Sequence, residues 1–205
     1  MANTIEEYVN ERSINYLVHF TRLANLASIL QRGLVTRDTL ELEGNGELND
    51  QYRLDGTNAI CVSIGFPNYK MFYRLRREHE ASEWIVLVIK TSALWQLPAA
   101  FCVTNAASAE VTAIPLQQRM TLDAFKAMYG DFNGKVRSTL GLENRLPTNP
   151  QAEVLMVAGV PRQYVLGAYV QTEGMKKKIE AMYPGFEVRV NNAYFSARSD
   201  YAHWR

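Results

Sequence analysis

The sequence predicts a mixed α/β (α+β) domain with substantial antiparallel pairing, and three observations carry that prediction. Strand-like apolar runs are interspersed with helical stretches along the whole chain. The helical stretches are short and irregularly placed, without the long regular crossovers that a doubly wound parallel sheet requires. No GxGxxG fingerprint and no P-loop occurs in the 205 residues.

The elements follow in order. After a short polar lead, residues 16–20 (YLVHF) read as a buried strand, and residues 21–34 repeat Leu23, Leu26, Ile29 and Leu30 at helical spacing, with Gly33 where a helix C-cap belongs. Residues 35–58 are rich in Asp, Glu, Asn and Gly; they have room for a short helix but no clear core face. A stretch of that length without an element of its own points to function. AICVSI at 59–64 is a strand, Pro67 opens a helix through Arg77, and WIVLVIK at 84–90 is the strongest strand pattern.

A strand over 101–104, a helix over 122–129, a polar turn at 131–134 and a loop at 142–150 with two prolines come next. AEVLMVAGV and YVLGAYV then read as strands, residues 172–182 as a helix and FEVRV as the last strand. Neither a repeat nor a linker interrupts the chain, so a single domain over 1–205 is expected, working as a monomer.

Composition narrows the function classes. With 22 Lys and Arg against 21 Asp and Glu, the overall field draws in no polyanion, so any nucleic-acid contact must come from a local patch. Cys61 and Cys102 lie in apolar runs, which suits buried thiols in a reducing compartment. The lead has no signal-peptide pattern and no apolar run reaches the length of a membrane span, so a cytoplasmic protein without membrane contact is expected. Metal-ligand spacing is absent from the sequence.

Four features carry potential chemistry. His19 places a polar group near the end of an apolar strand, followed by Thr21; alone it reads more readily as a hydrogen-bonded core histidine. In FPNYKMFYRLRR (66–77), Phe66, Tyr69 and Tyr73 interleave with Lys70, Arg74, Arg76 and Arg77, a mixture that can stack on bases or nicotinamide and pair with phosphates. The alternative is an amphipathic helix with Met71, Phe72 and Leu75 in the core and a solvated basic face. Glu153 stands at the start of a strongly apolar strand, where a carboxylate is either at a solvent edge or functional, because unpartnered burial costs several kcal/mol. Arg53 lies in the long acidic stretch, where its planar fork suits a pyrophosphate, or a surface ion pair with Asp50 or Asp55. The run at 176–178 reads as a solvated face, and the tail NNAYFSARSDYAHWR as ordered against the domain or its substrate.

Taken together, YLVHFTRLANLASILQRGL, NDQYRLDG, AICVSIGFPNYKMFYRLR and NPQAEVLMV, in that order over about residues 13–170, resemble the DarT family of DNA-modifying ADP-ribosyltransferase toxins. The resemblance implies an ADP-ribosyltransferase fold with two packed, largely antiparallel sheets around an NAD cleft. It implies NAD as co-substrate, no metal, and transfer of ADP-ribose to guanine or thymine of single-stranded DNA with release of nicotinamide. It further implies a toxin–antitoxin or phage-defence setting, with a cognate antitoxin that removes ADP-ribose or blocks the site.

Carried over by position, Glu153 and Arg53 are the expected catalytic residues. His19, Phe20, Thr21, Arg53, Phe66 and Tyr69 are expected at NAD, and Tyr69, Lys70, Tyr73, Arg74, Arg76 and Arg77 at the DNA strand. Transfer to RNA or protein, or a non-catalytic nucleic-acid-binding module, are the competing expectations.

Overall fold

A computed structural model describes residues 2–42 and 57–204. Within them seven strands form one sheet: β1 (Leu17–Arg22), β2 (Ile60–Ile64), β3 (Trp84–Ile89), β4 (Ala99–Cys102), β5 (Glu153–Met156), β6 (Val165–Val170) and β7 (Glu187–Val190), in the order β4-β5-β2-β1-β3-β6-β7. Every neighbouring pair is antiparallel except β6 with β7. The two sheets expected from sequence are thus two wings of one sheet. They join where β1 meets β2, and only Leu17↔Ile64 and Val18↔Ser63 pair across that join.

From His19 onward the wings part: β1 runs on along β3 as far as Arg22, while β2 pairs with β5. Alternation explains how each wing is covered. Leu17, Ile85, Leu87 and Ile89 point into the main core with Val62, Val154 and Met156, whereas Val18, Trp84 and Val86 face a second cluster built on Phe72, Leu75 and Phe195.

Eight helices accompany the sheet among the described residues: α1 (Ile5–Glu11), α2 (Leu26–Arg32), α3 (Arg37–Leu42), α4 (Tyr69–Glu78), α5 (Ala93–Gln96), α6 (Ala109–Thr112), α7 (Leu122–Ala127) and α8 (Glu173–Met182). The polar lead holds α1: Thr4 Oγ1 accepts from the Glu7 backbone N–H, and Glu7 returns a carboxylate oxygen to the Asn3 N–H. Thr21 and Arg22, expected at the head of the following helix, are strand residues opposite Ile85 and Trp84, so cross-strand pairing overrides the helical periodicity there. Gly33 does end α2, at φ 85°, where an added Cβ would lie 2.2 Å from the Val160 carbonyl oxygen.

Pro67 does not open α4. It precedes Asn68, which caps the helix by accepting from the Met71 N–H at 3.3 Å. The strand expected at 101–104 begins two residues earlier, in register with β5.

Candidate functional site

Glu153 is the first residue of β5 and is only 4% exposed. Opposite it on β4 stands Cys102, and one register step beyond Val62↔Val154 brings Ser63 of β2 to its other side. A carboxylate enclosed by strands on both flanks has to find its donors locally. Its Oε1 accepts from Asn68 Nδ2 at 3.0 Å and its Oε2 from the Ala106 backbone N–H at 2.8 Å.

Asn68 is itself 1% exposed and serves two elements at once. Its Oδ1 caps α4 while its Nδ2 holds Glu153, and its backbone N–H donates to Ser63 Oγ at 3.3 Å. Helix cap and carboxylate therefore share one side chain. The sequence reading missed Asn68, although an Asn directly after Pro67 at a helix start is a cap signal. Nothing in the sequence marks Ala106, which contributes only backbone.

His19 sits where the wings part. Continuing the β1–β2 register would set Cys61 opposite Phe20, but the strands have diverged, and the imidazole bridges the gap: Nδ1 donates to the Cys61 carbonyl at 2.7 Å. A carbonyl cannot donate, so the proton is on Nδ1, and in the neutral ring Nε2 is an acceptor. Burial holds the His19 pKa below its ordinary 6.5, against the opposing pull of the Cys61 hydrogen bond. The ring is accordingly neutral at pH 7. Thr21, two residues on, is buried and accepts from Asn25 Nδ2 at 3.1 Å, and the Phe20 ring stacks on Phe72 at 4.6 Å.

The aromatic and basic residues of 66–77 divide into three groups. Phe66 packs 5.5 Å from Tyr194, whose hydroxyl is hydrogen-bonded to that of Tyr16. Tyr69, Lys70, Tyr73 and Arg76 line a cavity of about 340 Å³ between α4 and residues 195–197. Arg74 and Arg77 lie outside it, exposed and paired within the helix region with Glu78 at 3.6 Å and Glu80 at 2.8 Å. Arg53 lies outside the described residues. The 176–178 run is a solvated face in which Lys178 pairs with Glu83 at 2.6 Å.

The C-terminal tail is anchored on the loop that leads into β5. Arg198 and Asp200, 3% and 4% exposed, form an ion pair at 2.7 Å, and Arg198 also donates to the carbonyls of Pro147 and Thr148 at 2.9 and 2.7 Å. Burial pushes the Asp200 pKa upward, but the hydrogen bonds and charge of Arg198, with Trp204 Nε1–H, outweigh it and hold the carboxyl below its ordinary range. Trp204 also ties the tail to α4, since its carbonyl accepts from Lys70 in the first turn of that helix. Among the described residues no group of three or more His, Cys, Asp or Glu gathers as a metal site.

Comparison with known proteins adds the following. A family model described as "ssDNA thymidine ADP-ribosyltransferase, DarT" matches residues 18–201. No significant match is found among curated proteins. The fold is similar to Thermosipho africanus DarTG in complex with ADP-ribose, at TM-score 0.55 and 16% identity over 88% of this chain and 51% of that one; the chain thus spans about half of that relative's length. It is also similar to Thermus sp. 2.9 DarT in complex with NAD+ (TM-score 0.51) and with carba-NAD+ (TM-score 0.52), each at 16% identity over 89% of this chain and 98% of that one.

Proposed function

The chain belongs to the DarT family of ssDNA thymidine ADP-ribosyltransferases, and from that premise we propose that it cleaves NAD+ and transfers the ADP-ribose to a thymine base of single-stranded DNA. The family description favours thymine over the guanine that the sequence left open. The structural observation that supports this reading best is the Glu153 carboxylate, buried and held by two N–H donors at the end of β5.

Charge dictates the chemistry. Nicotinamide leaves NAD+ as a neutral molecule, so positive charge develops at the ribose C1′ in an oxocarbenium-like transition state. A carboxylate fixed in a low-dielectric cleft stabilises that charge by several kcal/mol without having to reorganise. Glu153, oriented by Asn68 and the Ala106 N–H, takes this role, and it also accepts the proton that the attacking base nitrogen releases. His19, neutral with Nε2 as acceptor, suits a donor on the dinucleotide, either a ribose hydroxyl or the carboxamide N–H. Phe20 and Thr21 shape that side of the pocket. Arg53 contacts the phosphates or the nicotinamide ribose, with Phe66 and Tyr69 on the aromatic side.

A single strand suits the acceptor, because its bases turn out without unpairing. Tyr69, Lys70, Tyr73, Arg74, Arg76 and Arg77 of α4 form the strand-binding face. An enzyme that marks DNA needs a companion that removes the mark or blocks the cleft, and we place the pair in the cytoplasm. No helix among the described residues is long and apolar enough to cross a membrane.

The test is incubation with NAD+ and oligonucleotides that contain or lack thymine, alongside RNA and protein acceptors, with products read by mass. Addition of one ADP-ribose to thymine-containing DNA alone is expected. Addition to RNA or protein with DNA untouched would overturn the assignment.

A further inference from the structure

Four charged side chains are buried among the described residues: Arg119, Glu153, Arg198 and Asp200. Arg198 and Asp200 meet directly in the tail, which leaves one cation and one anion. Arg119 closes the short 3₁₀ turn Leu116–Arg119 and is 6% exposed. Its Nη1 donates to Cys102 Sγ at 3.5 Å, and its Nε is buried with no hydrogen-bond partner among the described residues. The acids nearest it in sequence, Glu110 of α6 and Asp123 of α7, are exposed, and no ion pair to Arg119 occurs among the described residues. Arginine keeps its charge in a protein interior, so this one is balanced through space.

Strand register sets the distance to the remaining acid. Cys102 stands directly opposite Glu153 in the β4–β5 pairing, which puts the two side chains on one face of the sheet, about 5 Å apart at Cβ. The Arg119 guanidinium, the Cys102 thiol and the Glu153 carboxylate therefore follow one another across that face, with the two charges on the order of 10 Å apart. Burial by itself disfavours the ionised carboxyl that the transfer needs. Its two hydrogen-bond donors, Asn68 Nδ2 and the Ala106 N–H, are neutral and do not replace a cation. The remaining described groups around it are the Ser63 hydroxyl of β2 and the Cys102 thiol of β4, with neutral His19 beyond β2 on β1. At an effective dielectric constant of about 20, a cation at that distance favours the ionised carboxyl roughly tenfold, or about one pH unit.

We propose that Arg119 is a positioning residue of the transfer reaction: its fixed charge, set across Cys102 from Glu153, keeps that carboxylate ionised and so fixes the lower edge of the pH range in which the enzyme works. It acts by its field and needs no contact with NAD+ or the strand, in keeping with its burial. The proposal rests on Glu153 as the reactive carboxylate assigned above.

Single-turnover transfer at saturating NAD+ and strand, followed from about pH 4.5 to 8, tests it with Arg119→Met, Arg119→Gln, Arg119→Lys and Cys102→Ala beside the wild type. Arg119→Gln keeps a donor for Cys102, so the test stands even where Arg119→Met fails to fold. Both neutral variants are expected to move the acid limb of the rate up by about one pH unit, because the carboxyl then takes its proton earlier as pH falls. At the alkaline end their rates return to within about threefold of wild type. Arg119→Lys and Cys102→Ala, which each retain the cation, keep the wild-type limb. An unmoved limb in the neutral variants would overturn the proposal, as would a limb moved equally far in Arg119→Lys, or a loss of rate equal at every pH, the mark of a structural role. The same titration is read without turnover from the carboxyl-carbon NMR resonance of Glu153, assigned by Glu153→Gln, in the wild type and Arg119→Gln. An equal midpoint in those two proteins overturns the proposal by itself. Absence of DNA modification by the wild type at every pH, with the resonance midpoint shifted as expected, fails the acceptor assignment and supports the charge coupling.

Discussion

Asn68 decides more of this site than its size suggests. Its side chain ties the cap of α4 to the carboxylate of β5, and its two roles can be separated. Serine caps a helix about as well as asparagine but lacks the amide donor. Asn68→Ser is therefore expected to keep α4 but to leave the buried carboxylate one donor short, costing about 1.5–3 kcal/mol in urea unfolding while lowering kcat by about tenfold to a hundredfold, the range for a hydrogen bond to a charged group. An unchanged kcat beside that loss of stability would mean that Asn68 is structural only. His19 gives a second residue-scale expectation. Its pKa is lowered on folding, so the unfolded state binds the proton first as pH drops below 6.5, and stability that is intact above that pH drains away toward the folded pKa. Urea unfolding at pH 7.5 and 5.5 should show a larger loss in the wild type than in His19→Gln. The same loss in both proteins would contradict the partly buried, neutral imidazole.

Elements explain why some of this was legible in the sequence and some was not. β3, β6 and α8 stand where apolar alternation and helical spacing put them, because each satisfies its own local pattern. The helix after β1 begins late because Thr21 and Arg22 are claimed by pairing with β3, a long-range contact that no local window contains. Glu153 was legible from its odd place before an apolar strand, whereas the Ala106 N–H that supports it depends on where a loop returns. The C-terminal tail belongs to this scale as well. Its Arg198–Asp200 pair fastens Pro147 and Thr148, six and five residues before the buried glutamate, and Trp204 fastens the start of α4. Removing one member of a buried pair strands the other charge, so Asp200→Asn should cost about 3–5 kcal/mol in denaturant unfolding. A cost below about 1 kcal/mol would show that the tail rests on the domain without bracing it.

At the scale of the molecule, one sheet opens into two wings, and the opening holds the residues of the proposed chemistry. His19 is at the point of divergence on one wing, and Glu153 lies on the other, one strand beyond β2. Whole-chain charge is near zero, and Arg74 and Arg77 must exchange Glu78 and Glu80 for phosphates to serve the strand-binding face, so the net phosphate contacts are few. With two or three phosphates neutralised, the dependence of log affinity for single-stranded DNA on log salt should have a slope of about −1.5 to −2. A slope steeper than about −4 would point to a basic surface elsewhere.

The central claim concerns Glu153, and single-turnover transfer tests it most directly. Glu153→Gln keeps the shape and one of the two accepting oxygens but removes the charge that the proposed mechanism sets against C1′. The account predicts that NAD+ affinity holds within about threefold while the rate of ADP-ribose transfer to a thymine-containing strand falls by at least about a hundredfold, the scale of lost transition-state electrostatics. Transfer by Glu153→Gln at the wild-type rate would contradict it.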